Sequence, residues 1–278
     1  MPVVAVSMMK DERRIALRTV RHMAGEVDAL IVADNASTDG TREKLKHAEM
    51  LLPLTVVDDP DPAYTQSAKM SHLAEMAAEL HDPDDLWIVP FDADELWTAP
   101  GGRIRDVLPN IRADIVVARI TNHFVTGQDE GTDDPFTSMV WRQAEPQGLG
   151  KVAFRWRPGA VIHQGNHGVT LPVHEPRVAR VELAIRHFPY RSEDQMLSKV
   201  TNGARAYALT DLPPDVGEHW RLYGQVLDEE GPDAIRAWFR RHFYYPDPNL
   251  GPGGRPLEPG EQPLVRDPAP YRRWDRFS

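Results

Sequence analysis

The chain up to Phe91 alternates between two hydrophobic periods, and this limits the fold more than any other feature. Val3-Val4-Ala5-Val6 is a continuous apolar run typical of a strand buried on both faces. Asp11 to Ala24 follows, with Ile15, Val20 and Met23 at roughly helical spacing before Gly25. Ala29 to Ala33 is a second strand, and Ser37-Thr38-Asp39-Gly40-Thr41 opens a helix. Leu54 to Val57 is a third strand, and Thr65 to Leu80 is a helix with Met70, Leu73, Ala77 and Leu80 on one stripe. Leu86 to Phe91 completes a βαβαβαβ run. Such strands call for a parallel sheet covered on both faces, so the fold class is α/β.

Beyond Asp94 the pattern changes. The strand candidates Ile115 to Ile120, Ser138 to Arg142, Lys151 to Trp156 and Arg180 to His187 are joined by polar or Gly/Pro-rich connections rather than helices, which predicts a mixed or antiparallel extension. Ser192 with Gln195 reads as a capping box, followed by Met196, Leu197, Val200, Ala204 and Tyr207 at helical spacing. Further helices are expected at Glu218 to Glu230 and Ala234 to Tyr244. A Pro/Gly-rich tail from Pro246 onward is expected to lack regular structure.

The formal charge of −10 over 278 residues removes the basic excess that phosphate-backbone binding needs, so no nucleic-acid partner is expected. Cysteine is absent, which excludes a disulfide framework and thiol catalysis. The apolar part of the first ten residues is too short for a signal peptide, and no run approaches the ~20 apolar residues of a bilayer span. The expectation is a soluble, cytoplasmic protein without an integral membrane segment.

Asp92-Ala93-Asp94 stands where the fourth apolar run stops. The carboxyl end of a parallel strand opens into the ligand crevice, and carboxylates there can hold a divalent cation against phosphate oxygens. The same spacing also serves as a turn or helix cap. Three segments in order carry a resemblance: Val32-Ala33-Asp34-Asn35-Ala36-Ser37-Thr38-Asp39-Gly40-Thr41, Asp92-Ala93-Asp94, and His187-Phe188-Pro189-Tyr190-Arg191-Ser192. Together they resemble the family 2 type of nucleotide-sugar glycosyltransferases with the GT-A fold, over roughly the first two-thirds of the chain.

The resemblance implies a GT-A (Rossmann-like) domain over residues 1–192, with 1–97 as the nucleotide-sugar-binding half and 98–192 as the acceptor half. A helical extension at 193–245 and a Pro-rich tail at 246–278 follow. The implied activity is metal-dependent transfer of a sugar from a UDP- or dTDP-sugar, UDP favoured, to a hydroxylated acceptor such as a glycan or small molecule. Asp94 is the implied direct metal ligand, with Asp92 facing the ribose or a metal-bound water. Hard oxygen donors suit Mg²⁺ or Mn²⁺, and an added imidazole favours Mn²⁺, which makes His187 a candidate ligand. Asp34 resembles the residue that accepts the uracil N3 hydrogen, and it also reads as a turn or cap with Ser37 and Asp39. Glu12 lies in the loop that contacts the nucleoside, where it also complements a helix N-terminus.

The remaining candidates come from residue type and position. Ala93 belongs to the donor site through its place in the acidic motif, and Lys69 through its place on the helix before the fourth strand, where a solvated lysine is the plainer reading. Asn166 and His167, within His163-Gln164-Gly165-Asn166-His167-Gly168, belong to a polar turn that either folds over the donor as a mobile loop or lies on the surface. Arg191 and Lys199 are candidate phosphate cations. Trp97 reads as a sugar-stacking ring or as an apolar anchor of the strand end. Glu175 and Asp133-Asp134 are the available carboxylates for a general base in the acceptor half. The aromatic end, Trp238, Phe239, Phe243, Tyr244 and Tyr245, reads as an acceptor pocket, a homodimer contact or core. Two other classes remain open: a nucleotide-sugar-binding protein without turnover, and a metal-dependent phosphatase, which would carry its Asp-x-Asp on the first strand.

Overall fold

The computed structural model of the chain describes residues 1–129, 134–213 and 215–267, with the side chains at 181 and 182 excepted. In chain order the elements are β1 (Val3–Met9), α1 (Ala16–Glu26), β2 (Ala29–Asn35), α2 (Thr41–Glu49), β3 (Leu54–Asp59), α3 (Gln66–Leu80), β4 (Trp87–Pro90), β5 (Glu95–Thr98), α4 (Ile104–Val107) and β6 (Ile115–Thr126). They continue with α5 (Pro135–Ser138), β7 (Trp141–Arg142), β8 (Lys151–Arg155), β9 (Val161–Ile162), β10 (Val169–Thr170) and β11 (Val178–His187). The chain then runs through α6 (Glu193–Ala208), α7 (Glu218–Glu230), α8 (Pro232–His242), β12 (Tyr244–Tyr245) and β13 (Val265–Arg266).

Strands β3, β2, β1 and β4 are parallel, and β8 pairs antiparallel with β4 and with β6. This is the mixed, Rossmann-like α/β sheet expected from the sequence, parallel in its N-terminal part. Alternation along β1 sorts its side chains into two layers. Val3 and Ala5 pack with Ile15, Val20, Met23 and Leu45 of the α1 and α2 side, while Val4 and Val6 pack with Met70, Leu73 and Ala77 of α3. Both faces of β1 are therefore dry. Among the described residues no helix is long and apolar enough to cross a membrane.

Four local expectations differ from the structure. Helix α1 starts at Ala16 rather than Asp11, because Asp11 adopts a positive φ of 52° while its N–H donates to Ser37 Oγ at 3.0 Å. Ser138 closes the short helix α5, so the strand placed at Ser138 to Arg142 shrinks to β7. Ser192 Oγ does cap the Gln195 N–H at 3.1 Å, but the Gln195 side chain accepts from the Arg191 N–H, so the reciprocal half of the box is displaced by one residue. The tail is not structureless: β13 pairs antiparallel with β7, and Asp267 accepts from Arg142 Nε at 3.0 Å and from Arg186 Nη2 at 2.9 Å. Residues 268–278 of the tail lie outside the described residues.

The strap of the tail over the sheet leads to a pH prediction. His123 of β6 is fully buried, stacks on Phe188 at 4.5 Å and donates from Nδ1 to the Met139 carbonyl at 2.8 Å. Burial lowers its pKa from 6.5 to about 4, against the opposing pull of the Met139 carbonyl and Asp267. The unfolded chain therefore binds this proton below pH 6.5 while the native chain stays neutral until about pH 4. Stability should fall as pH drops across that window, by about 3 kcal/mol for this group alone. Urea midpoints measured from pH 7 to 4 should slope downward in the native sequence and flatten in His123→Asn. Equal slopes in the two proteins would reject the assignment.

Candidate active site

A cleft of about 900 Å³ opens over the carboxyl ends of β1, β2 and β4, and one of its walls comes from α6 and the start of α7. Its acidic centre is built by strand register. On β11, His187 pairs with Glu95 of β5 on one side and with Asn122 of β6 on the other, and the Phe188 N–H donates to the Asp94 carbonyl at 2.9 Å. The Asp-x-Asp turn and the histidine, 93 positions apart in the chain for Asp94, are thus clamped together by backbone.

Asp94 is 4% exposed. Its Oδ1 lies 3.6 Å from His187 Nε2, and its Oδ2 lies 2.7 Å from Lys199 Nζ and 3.9 Å from Arg191 Nη1. Burial opposes ionisation, yet Lys199, His187 and Arg191 together hold the carboxyl well below the usual carboxylate range. His187 Nδ1 faces Asn122 Oδ1 at 2.8 Å. With that bond donated from Nδ1, Nε2 is the ring nitrogen turned toward Asp94, and the bond fixes the orientation of the imidazole. Asn122 was not singled out in the sequence, because only the β6–β11 pairing reveals it.

Asp92 has a different set of partners. One of its oxygens pairs with Lys151 Nζ, and the other accepts from Asn166 Nδ2 at 3.0 Å and Gln66 Nε2 at 3.4 Å. Lys151, 4% exposed, also lies 2.8 Å from Glu95 Oε1, and Glu95 Oε2 accepts from the Asp92 N–H and the Trp97 indole, both at 3.1 Å. Burial works against charge on Lys151, but Asp92 and Glu95 outweigh it and raise its pKa. Both oxygens of Asp92 are engaged by protein donors, which anchors the turn, and its side chain still lines the cleft beside Asp94. Ala93 completes the turn by accepting at its carbonyl from Thr19 Oγ1 at 2.5 Å. Trp97 is wholly buried, so its role is the apolar anchor and not a stacking ring for a sugar.

At the carboxyl end of β2, Asp34 Oδ2 accepts from the Ser37 N–H at 3.1 Å, which is the turn-forming role open to it, while its Oδ1 is buried with no hydrogen-bond partner and Asp34 is not among the residues lining the cleft. Asn35 lines the cleft beside it, with Asp11, Glu12 and Tyr64. Glu12 pairs with Arg191 Nη2, and burial raises its pKa despite that guanidinium. Lys69 does not reach the cleft: its Nζ sits 2.8 Å from Asp59 Oδ2 and 2.5 Å from the Asp61 carbonyl, tying down the loop after β3.

The acceptor-half expectations separate. His167 lines the cleft and its Nδ1 meets the Gly150 carbonyl at 2.8 Å. Asn166 lies buried beneath the cleft against Asp92. The 163–168 segment is stitched to α3 through Gly165 N–H to Gln66 Oε1 at 2.7 Å and Ser67 N–H to Gln164 Oε1 at 3.0 Å, so it is packed against the parallel half of the fold and is not a free surface turn. Asp134 does not reach the cleft. It caps α5 through Phe136 N–H at 3.1 Å and pairs with Arg18 at 3.2 Å. Glu175 is exposed in the connection between β10 and β11, also away from the cleft, and Asp133 lies outside the described residues. The carboxylate of the helical extension that does line the cleft is Asp194, in the first turn of α6, bonded to Arg236 at 3.0 Å. Neither Phe239 nor Trp238 faces the cleft: they pack with Met196, Val200 and Ile235 as the core of the helical extension.

Among the described residues no group of three or more His, Asp or Glu side chains forms a self-sufficient metal cage. Asp94 Oδ1 and His187 Nε2 remain as two donors facing one another. They fit an Mg²⁺- or Mn²⁺-type ion that takes few protein ligands and completes its shell with phosphate and water.

No protein family model and no curated protein matches the chain. Among solved structures, it is similar to TarS from S. aureus, residues 1–349, in complex with UDP. That match has 9% identity over 82% of this chain and 72% of that one, with a TM-score of 0.38. The same TarS segment in complex with UDP-GlcNAc matches with 9% identity over 82% and 73% of the two chains, with a TM-score of 0.37.

Proposed function

We propose that the chain transfers a sugar from a nucleoside diphosphate donor, UDP- or dTDP-linked, to a hydroxylated acceptor, with Mn²⁺ or Mg²⁺ held at Asp94 and His187. The observation that carries this is the buried Asp94 carboxylate, faced by an imidazole Nε2 and flanked by Lys199 and Arg191, in a cleft that continues to the ends of β1 and β2. Such a cleft pairs a hard-cation site with phosphate-countering cations beside a polar nucleoside end. A bound cation would supply neutralisation of the negative charge that grows on the leaving diphosphate.

The chain's own residues supply the rest. Lys199 offers a compact ammonium and Arg191 a planar fork toward phosphate oxygens. Asp34 is 3% exposed and does not itself line the cleft, but its unpartnered Oδ1, next to the cleft-lining Asn35, is an acceptor of the kind suited to the N3–H of uracil or thymine, a donor that adenine and cytosine lack. Asn122 keeps His187 in one tautomer, and the Lys151–Asp92–Glu95 cluster keeps the turn that carries Asp94 in place. An aspartyl nucleophile at Asp92, as a phosphatase would need, is disfavoured because both of its oxygens are already engaged.

The test is incubation with UDP-glucose, UDP-GlcNAc, UDP-galactose and dTDP-sugars, with Mn²⁺ and with EDTA. The expected result is slow Mn²⁺-dependent release of nucleoside diphosphate from at least one uridine or thymidine donor, and none from ADP- or CDP-sugars. Hydrolysis of p-nitrophenyl phosphate instead would favour the phosphatase reading, and thermal stabilisation without release would favour a binding protein.

A further inference from the structure

We propose that Lys199 places its ammonium on Asp94 as a stand-in for the divalent cation, so that cation and diphosphate bind as a coupled pair and each binds poorly alone. This deepens the function proposed above and rests on it. Asp94 Oδ2 is held by Lys199 Nζ at 2.7 Å, leaving Oδ1, 3.6 Å from His187 Nε2, as the freer oxygen. A dication entering between Oδ1 and Nε2 therefore arrives where Lys199 and Arg191 already neutralise the carboxylates of Asp94 and Glu12 and lie close enough to repel it, while the nearby Asp92 and Glu95 carboxylates are shared by Lys151. Like charges at such separations oppose binding by an amount that matters even at intermediate dielectric. A diphosphate reverses the balance, because its oxygens can accept from the same ammonium.

The two resident cations are not equivalent. Arg191 is committed elsewhere, with Nη2 on Glu12 and Nη1 donating to the Phe188 carbonyl at 3.1 Å, and its side chain is only 7% exposed. Lys199 is 26% exposed, belongs to α6 of the helical extension rather than to the sheet, and has the Pro189 carbonyl at 3.3 Å as its other hydrogen-bond partner. Its flexible stem lets it swing from carboxylate to phosphate, whereas the guanidinium must break two contacts to do so. Lys199 is thus the movable charge, and the coupling between the two ligands runs through it.

Isothermal titration of Mn²⁺ alone, UDP alone, and Mn²⁺ at saturating UDP tests this, with free Mn²⁺ followed by electron paramagnetic resonance. In the native sequence UDP should raise Mn²⁺ affinity by about thirtyfold or more, within the range of ordinary coupling energies. Lys199→Met should bind Mn²⁺ alone about tenfold more tightly, bind UDP alone more weakly, and show coupling of about threefold or less. Lys199→Arg should retain the coupling, and Lys199→Gln repeats the charge removal should the Met variant fold poorly by circular dichroism. Coupled binding that survives Lys199→Met or Lys199→Gln unchanged would overturn this inference and leave the proposed function standing. Failure of the native protein to bind Mn²⁺ and UDP in any combination would overturn both.

Discussion

Asp94→Asn should lower Mn²⁺-dependent release of nucleoside diphosphate by about a thousandfold, the scale on which losing one preorganised electrostatic element of a site slows a reaction. The substitution keeps the shape of the side chain and removes only its charge. What disappears is the carboxylate that faces His187 Nε2 at 3.6 Å, one of the two donors proposed for the cation. The expected pattern is a fall in kcat with little change in folded structure, because the backbone bond from Phe188 N–H to the Asp94 carbonyl does not depend on the side chain. The linkage has a definite sign. The folded-state pKa of Asp94 lies below its unfolded value, so its carboxylate contributes stability above the ordinary carboxylate range, and that contribution is lost as pH falls through the folded pKa. Any stability deficit of Asp94→Asn should therefore be full at pH 7 and shrink in strong acid. Retention of more than a tenth of native turnover, with Mn²⁺ dependence intact, would remove Asp94 from the site.

The parallel half of the fold and the meeting of Asp94 with His187 were legible in the sequence for different reasons. Strands β1, β2 and β4 are covered on both faces and read as unbroken apolar runs, the edge strand β3 buries Leu54 and Val56 on one face, and the helices between them carry a 3.6-residue period, so composition and spacing suffice. Strand β5 left no such mark. It spans four residues, begins one residue after the acidic motif, and exists because β11, about 90 positions away, pairs with it. The order of the tail is hidden from its own composition for a related reason, since β13 and Asp267 are ordered by partners at Arg142 and Arg186 far earlier in the chain. Glu175 and Asp134 were candidate bases because they are carboxylates at plausible positions, yet their local geometry decides otherwise: one is exposed, and the other is spent on a helix cap and on Arg18. Lys151, Asn122 and Gln66 went unnoticed because nothing in their neighbours' identity announces them. Their roles follow from register, and register is a non-local property.

The same register accounts for the second large effect, Lys151→Met, which should destabilise the protein by about 3–5 kcal/mol, as expected when one partner of a buried ion cluster is removed. Strand β8 runs antiparallel to β4 with Trp87 opposite Arg155 and Ile88 opposite Phe154, and that alignment carries Lys151 to the level of the Asp92 turn. There it is 4% exposed and lies between Asp92 and the wholly buried Glu95. Methionine fills similar volume, so the cost is electrostatic rather than a cavity: two carboxylates remain, one with no access to water. Two consequences follow from that origin. Protonation relieves an uncompensated carboxylate, so the gap between native and variant urea stabilities should narrow from pH 7 to pH 5. Adding Glu95→Gln to Lys151→Met should recover part of the loss, giving a double-mutant coupling of more than about 1 kcal/mol. The turn that carries Asp94 hangs on this cluster, so turnover in Lys151→Met should fall further than the folded fraction alone explains. A deficit below about 1 kcal/mol that does not vary with pH would mean the cluster neither holds the turn nor feels its burial.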